Sequence, residues 1–202
     1  MGKRPLRSVL TLMLAGSFLL SAGCAGRSPA SRMDAVQAAY REMAGCTAQV
    51  EVTADYGQRV YGYTVELQGS RDAGAMTVTE PENIAGTVLT WSDGETGLEY
   101  EGAELDTGRL SRDGLSPADA MPVVLDACAR GTVVDCCGET VDGEELLRAA
   151  LTPPGRETVR ADCWFRPEDH ALRRAELSQG GQVVVTLDFS AFSFQEQSAE
   201  AP

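Results

Sequence analysis

Apolar and polar residues alternate with a period of two through most of the chain after residue 45. In 47–56, one face carries Ala48, Val50, Val52, Ala54 and Tyr56 and the other is polar, which predicts a strand with one buried face. The run 59–68 repeats this pattern after a turn at residues 57 and 58, so we expect a hairpin. The same period recurs in shorter segments: 75–79, 84–91, 97–101, 103–106, 158–165, 172–178 and 182–189.

Two segments have helical spacing instead. Residues 33–44 place Met33, Val36 and Tyr40 on one side, and Gly45 ends the pattern. Residues 117–129 follow Ser116, a favoured N-cap, with Pro117 at the first helical position. The segment 132–137 favours a strand, 144–152 fits a helix or a strand, and 190–194 either continues the last strand or forms a bulge.

The order of elements predicts an α+β fold: one helix, five or six antiparallel strands, a second helix, then further antiparallel strands. Because no helices separate the strands of the first run, an antiparallel meander is expected. We assign this domain to residues 33–194, which is long enough for one hydrophobic core. Residues 195–202 are polar and are predicted to form a disordered tail.

The N-terminus has the features of an export signal. Lys3, Arg4 and Arg7 precede an apolar run from about residue 8 to residue 20 that is too short to span a bilayer. The run ends in Leu19-Leu20-Ser21-Ala22-Gly23-Cys24, which resembles the lipobox of bacterial lipoproteins. The resemblance implies cleavage after residue 23 and lipidation of Cys24, with stable anchoring by two or three acyl chains. Residues 24–32 are then a flexible tether.

Charge limits the partners of the exported chain. All 30 acidic residues follow Cys24, and three of the 17 basic residues precede it, so the net charge from Cys24 onward is about −16. Such a surface repels nucleic acid and anionic lipid headgroups. The acidity is explained by solubility or, alternatively, by a basic partner.

Five cysteines follow the proposed anchor, and disulfides are expected outside the cytoplasm. A bridge from Cys128 to Cys136 or Cys137 would join the second helix to the next strand, and Cys46 could pair with another cysteine. Because five is odd, at least one thiol is free or pairs between molecules. The five candidates are Cys46, Cys128, Cys136, Cys137 and Cys163.

No pattern in the sequence indicates catalysis, a metal or another cofactor. The single histidine, His170, lies in a predicted turn, and there is no nucleophile elbow, paired Cys-x-x-Cys, phosphate loop or dinucleotide fingerprint. We therefore expect a protein that is not an enzyme.

Two segments of the sequence carry a further resemblance. The hairpin around Trp91-Ser92-Asp93-Gly94-Glu95, and the C-terminal run from Cys163-Trp164-Phe165 through Leu172–Leu177 to Val183–Phe189, resemble the LolA/LolB-like lipoprotein carriers and the similar germination lipoproteins of spore-forming bacteria. The resemblance implies an open half-barrel, a curved antiparallel sheet with helices on its concave face, whose cleft holds acyl chains.

From this resemblance we expect a lipid-anchored protein on the extracytoplasmic face of the cell membrane. It would bind an acyl chain, another apolar ligand or a lipoprotein in its cleft. The alternative is an envelope scaffold that stabilises or positions a partner protein. The candidate ligand-binding residues are inward-facing apolar side chains of the first two strands: Val50, Val52, Tyr61, Tyr63, Val65 and Leu67. Packing in a core is the other explanation for each.

Overall fold

The structure is a computed structural model that describes residues 28–100, 102–108 and 115–195. These residues form two α-helices, eleven strands and one short 3-10 helix. The bounds are α1 Pro29–Glu42, β1 Gly45–Asp55, β2 Val60–Gly69, β3 Ala73–Glu80, a 3-10 helix Glu82–Ile84, β4 Val88–Ser92, β5 Glu95–Tyr100, β6 Ala103–Gly108, α2 Pro117–Arg130, β7 Thr132–Val141, β8 Glu144–Thr152, β9 Val159–Phe165, β10 Leu172–Gln179 and β11 Gln182–Gln195.

All eleven strands belong to one antiparallel sheet in the order β6-β5-β4-β3-β2-β1-β11-β10-β9-β8-β7. The sheet is open, with β6 and β7 at its edges. Strands that are adjacent in the sheet are consecutive in the sequence, except at the centre, where β1 pairs with β11. The predicted fold class, an open antiparallel sheet with helices, is confirmed.

The helices lie on one face of the sheet, which we call the inner face. Helix α2 contacts β4 as well as β8, β9 and β10. Strands β4 and β8 are seven steps apart in the sheet, which is about 34 Å on a flat sheet, whereas a helix of 14 residues is about 21 Å long. The sheet therefore curves around α2, and its concave side holds the core.

Three hairpins close with two-residue turns whose residues have positive φ. Asp93 and Gly94 have φ values of 53° and 81°, and the pairs Asp142–Gly143 and Gly180–Gly181 are similar. This geometry matches the twist of the adjoining strands and favours Asp-Gly and Gly-Gly. The dipeptides at these three positions therefore account for the hairpin turns.

Both helices begin at a serine cap. Ser116 accepts a hydrogen bond from the Asp119 N–H at 3.2 Å, as predicted for α2. Ser28 accepts one from the Ser31 N–H at 3.2 Å, and Pro29 is the first residue of α1. Helix α1 therefore begins four residues before the predicted start, and residues 29–32, assigned to the tether, are helical.

One segment differs from the prediction, and two others decide between alternatives that the sequence left open. Ile84 lies in a 3-10 helix, because Gly86 at a φ of 86° interrupts the extended run before β4. The segment 144–152 is a strand. At Ser190 the last strand both continues and bulges, since Gln49 pairs with Ala191 and Val50 with Phe189.

Candidate functional site

The first candidate region is a cavity of about 480 Å³ where α2 faces the turns after β2 and β4 and the β8–β9 loop. Arg71, in the β2–β3 turn, lies 4.0 Å from Asp126 of α2, and Arg130 lies 2.5 Å from the same carboxylate. These groups are partly exposed, so water screens them and each pair adds little stability. Arg130 and Asp126 both belong to α2, so the Arg71–Asp126 pair alone links the C-terminal half of α2 to the sheet.

Trp91 forms part of the wall of this cavity. Its indole Nε1–H donates to the Ser70 carbonyl at 3.0 Å, and its side chain is buried. The ring lies directly on Gly74, where an added Cβ would stand 2.3 Å from Trp91 Cζ2. Glycine is required there by the close approach of the ring.

The second candidate region lies where β1 ends and β2 begins, and we call it the aromatic rim: Tyr56 and Tyr61. These side chains are 48% and 46% exposed. Val60 is also exposed, but it directly precedes Tyr61 on β2 and therefore belongs to the opposite face of the sheet. The rings of Tyr56 and Tyr61 meet edge to face at 6.2 Å. The Tyr56 hydroxyl donates to the Leu115 carbonyl at 3.2 Å, one residue before the N-cap of α2. The rim therefore joins the sheet to the start of α2.

Tyr63 lies behind the rim on the same face of β2. Its hydroxyl oxygen is buried and has no hydrogen-bond partner among the described residues. Burial, together with the neighbouring Tyr56, raises the pKa of Tyr63 well above its usual value. An unpaired buried hydroxyl costs free energy, so a polar ligand atom that reached Tyr63 would be stabilised.

The structure separates the six predicted ligand-binding residues into two groups. Four are buried in one continuous core with the apolar side of α2, and two lie toward the rim, where Tyr61 is exposed and Tyr63 is half-buried. The buried four are Val50, Val52, Val65 and Leu67. The sequence did not identify Leu115, Arg71 or Asp126 as site residues, although the alternation pointed to Tyr56 as the end of the buried face.

All five cysteines of the described residues are free thiols. The predicted bridge from Cys128 to Cys136 or Cys137 is not formed, because α2 carries Cys128 over β9, where its thiol contacts Cys163. Cys46, also fully buried, lies in the same cluster. Cys136 and Cys137 lie on β7 and are half-buried. Cys24 lies outside the described residues.

Within the described residues, no group of three or more His, Cys, Asp or Glu side chains is arranged to hold a metal ion. In the same part of the chain, neither helix is long and apolar enough to cross a membrane. His170 lies in the β9–β10 turn at a φ of 61°, and its carbonyl accepts a hydrogen bond from the buried Tyr40 hydroxyl at 3.2 Å.

Comparison with known proteins shows the fold. No protein-family model and no curated protein matches the chain. A solved domain assigned to an outer membrane lipoprotein-sorting protein from Vibrio parahaemolyticus is similar over 86% of this chain and 96% of that one, with 11% identity and a TM-score of 0.51. The architecture is thus the LolA-like open half-barrel.

Two further solved structures are similar with lower scores. A LolA superfamily protein from Nitrosomonas europaea matches over 86% of this chain and 96% of its own, with 11% identity and a TM-score of 0.43. The lipoprotein LppX from Mycobacterium tuberculosis matches over 84% and 96%, with 15% identity and a TM-score of 0.45.

Proposed function

We propose that this protein is an extracytoplasmic lipoprotein, anchored through Cys24, that binds an acyl chain or another apolar ligand between α2 and the inner face of the sheet. It performs no catalysis. The observation that carries the proposal is the aromatic rim. Exposed Tyr56 and Tyr61 lie at the mouth of a half-barrel whose interior is apolar behind them.

Exposed aromatic and apolar side chains that adjoin a core are typical of binding sites rather than of a fully solvated surface. The exposed rim would give an apolar ligand its first contacts. The buried face of β1 and β2, with Val52 and Val65, would then form one wall of the bound state. The unpaired Tyr63 hydroxyl would take the ligand's polar head.

Entry requires α2 to move, because the space between α2 and the sheet is filled by side chains in this structure. At its two ends, α2 is held to the sheet by polar contacts that a small displacement would break: the Tyr56–Leu115 hydrogen bond and the Arg71–Asp126 pair. Between them lie the apolar contacts of Met121, Val124 and Leu125. A ligand that replaced those apolar contacts would offset the cost of opening.

The LolA-like fold supports the same proposal. The domain from Vibrio parahaemolyticus with the same architecture is assigned to lipoprotein sorting, which handles acylated proteins. This chain shares the architecture of that domain, and its own acidic surface leaves apolar contacts rather than charge to attract a lipid.

Substitutions that add a negative charge at the aromatic rim test whether the cleft binds an apolar ligand. We expect Tyr61→Glu to weaken binding of a fluorescent fatty acid about tenfold, because an ionised side chain at the entrance repels the carboxylate and hydrates the apolar path. Val60→Glu and Val134→Glu are the controls, since Val60 is 62% exposed on the opposite face of β2 and Val134 is 61% exposed on β7. Fluorescence titration of the purified full chain measures the affinities. No binding by the wild type, or equal losses in all three variants, would refute the cleft.

The anchor is tested at Cys24. We expect Cys24→Ser to shift the protein from the membrane fraction to the aqueous phase on detergent partition, because serine cannot accept the thioether-linked lipid. Cys137→Ser controls for the loss of a thiol elsewhere, since Cys137 is half-buried on β7. Retention of Cys24→Ser in membranes would contradict lipidation at this residue.

A further inference from the structure

A groove crosses the outer face of the sheet, on the side opposite the helices. Two adjoining cavities of about 560 and 750 Å³ share Glu51, Thr64, Thr79 and Glu80 in their walls. The larger one continues past the β7–β8 turn to the strands β9, β10 and β11. We call the two together the outer groove. Most of its wall residues alternate along the strands with residues that face the core, and it meets the inner side at Tyr63 and Phe189, which also belong to its walls.

The charge of the outer groove is negative and largely uncompensated. Its two cations are already paired: Arg173 with Glu144 at 3.3 Å and Arg174 with Asp188 at 2.9 Å. Four other carboxylates on its walls form no salt bridge among the described residues: Glu51, Glu80, Glu82 and Asp142. A cationic ligand would find these carboxylates available.

Trp164 forms part of the groove wall and supplies a second, independent indication of a ligand. Its side chain is buried, with 7% exposed. Its indole Nε1–H is also buried, and it donates to no acceptor in the described part of the chain. Arg148 and Arg174 lie over its ring, with guanidinium carbons 5.5 and 6.0 Å from the centroid. The ring is therefore fixed in place while its N–H lacks the acceptor that a buried donor normally has.

The occupant must combine two chemistries. It must bring positive charge to the carboxylates and a hydrogen-bond acceptor to the Trp164 N–H. A polyamine or a metal cation supplies only the charge, and an acyl chain supplies neither. A peptide with basic side chains supplies both, because its backbone carbonyls accept hydrogen bonds. We propose that the outer groove binds an extended, arginine- or lysine-bearing segment of a partner protein.

A fluorescein-labelled ten-residue peptide of alternating arginine and serine, with one lysine, is a suitable probe for the purified full chain. Glu51→Gln with Glu80→Gln is expected to weaken its binding about tenfold in fluorescence anisotropy. The control removes two negative charges outside the groove, by Glu66→Gln with Glu99→Gln. These residues lie on the outer face of β2 and β5. That control is expected to change the affinity less than twofold. Equal losses in the two pairs would show general charge attraction and overturn the proposal.

Trp164→Phe keeps an aromatic ring under both arginines and removes the five-membered ring together with its N–H. We expect it to weaken peptide binding about fivefold while leaving spermine binding unchanged, because spermine offers no acceptor. Circular dichroism establishes that the variant is folded. An unchanged peptide affinity in the folded variant would refute the role of the indole, and an equal loss for spermine would exclude a peptide-specific site.

Because of the composition of the chain, the carboxylates that contact the peptide can be mapped by chemical cross-linking. Lys3 is the only lysine in the 202 residues, so carbodiimide coupling of the peptide lysine joins it to protein carboxylates with almost no internal competition. Mass spectrometry is expected to find the peptide on Glu51, Glu80, Glu82 or Asp142. Even labelling of exposed carboxylates across the surface would contradict the proposal.

Discussion

At the scale of single residues, the most unusual group is the buried cluster of Cys46, Cys128 and Cys163 beside Tyr40. All four side chains are at most 1% exposed. Tyr40 also packs edge to face on Phe165 and Phe194, with centroids 5.8 and 5.1 Å apart. Burial raises the pKa of Cys46 to about 12 and the pKa of Cys128 well above its usual value. Burial therefore favours the protonated form of the Cys46 and Cys128 thiols in the native state.

This cluster predicts loss of stability in alkali. An unfolded thiol ionises above about pH 9, whereas native Cys46 stays protonated to about pH 12. The native state thus holds more protons between these values, so the free energy of unfolding falls by about 1.4 kcal/mol per pH unit for each such thiol. Urea unfolding at pH 8, 9.5 and 10.5 measures it.

The matched variants are Cys46→Ala and Cys137→Ala. We expect Cys46→Ala to lower the alkaline slope of the unfolding free energy, and Cys137→Ala, on the half-buried β7 position, to leave it as in the wild type. A slope unchanged by Cys46→Ala would show that another group causes the alkaline loss.

At the scale of elements, the sequence predicted strands well where only one face is buried. In β1, buried Ala48, Val50, Val52 and Ala54 alternate with polar residues, because water covers the other face. In β8 the pattern failed: Leu147 and Leu151 face the core, while Leu146 and Ala150 are buried on the outer face. A strand buried on both faces has no period that distinguishes it from a helix.

The candidate sites were less predictable than the elements. The aromatic rim joins Tyr56 to Leu115, and the outer groove joins Glu51 to Asp142 and Trp164. These residues are far apart in the chain, and the strand pairing and the position of α2 bring them together. Charge alone suggested a basic partner but indicated no place for it.

The N-cap at the start of α2 leads to a prediction about the free energy of unfolding. Ser116→Ala removes the cap on the Asp119 N–H in a partly buried setting, so we expect the free energy of unfolding to fall by about 1 kcal/mol. Ser28→Ala removes the equivalent cap of α1 at an exposed site, where water replaces it. Chemical denaturation compares the two. A larger loss for Ser28→Ala would contradict the view that the start of α2 is the more constrained helix end.

At the scale of the whole molecule, the two proposed sites lie on opposite faces of the curved sheet. The inner face packs on both helices and ends at the aromatic rim, and the outer face carries the outer groove. A lipid in the cleft and a peptide in the outer groove would therefore contact opposite faces of the same strands β1 and β2. One protein could hold both at once.

The pairing of β1 with β11 has a consequence for how the chain acquires its shape. Gln49 and Ser190 are 141 residues apart in sequence, yet the Ser190 hydroxyl contacts the Gln49 carbonyl at 3.3 Å. Contacts between such distant residues form slowly, because a long loop must close first. Until β11 is available, strands β1–β6 and β7–β10 share no strand pairing. A chain delivered from its N-terminus would thus remain in two separate sheets, each with an unpaired edge, until its last strand arrived.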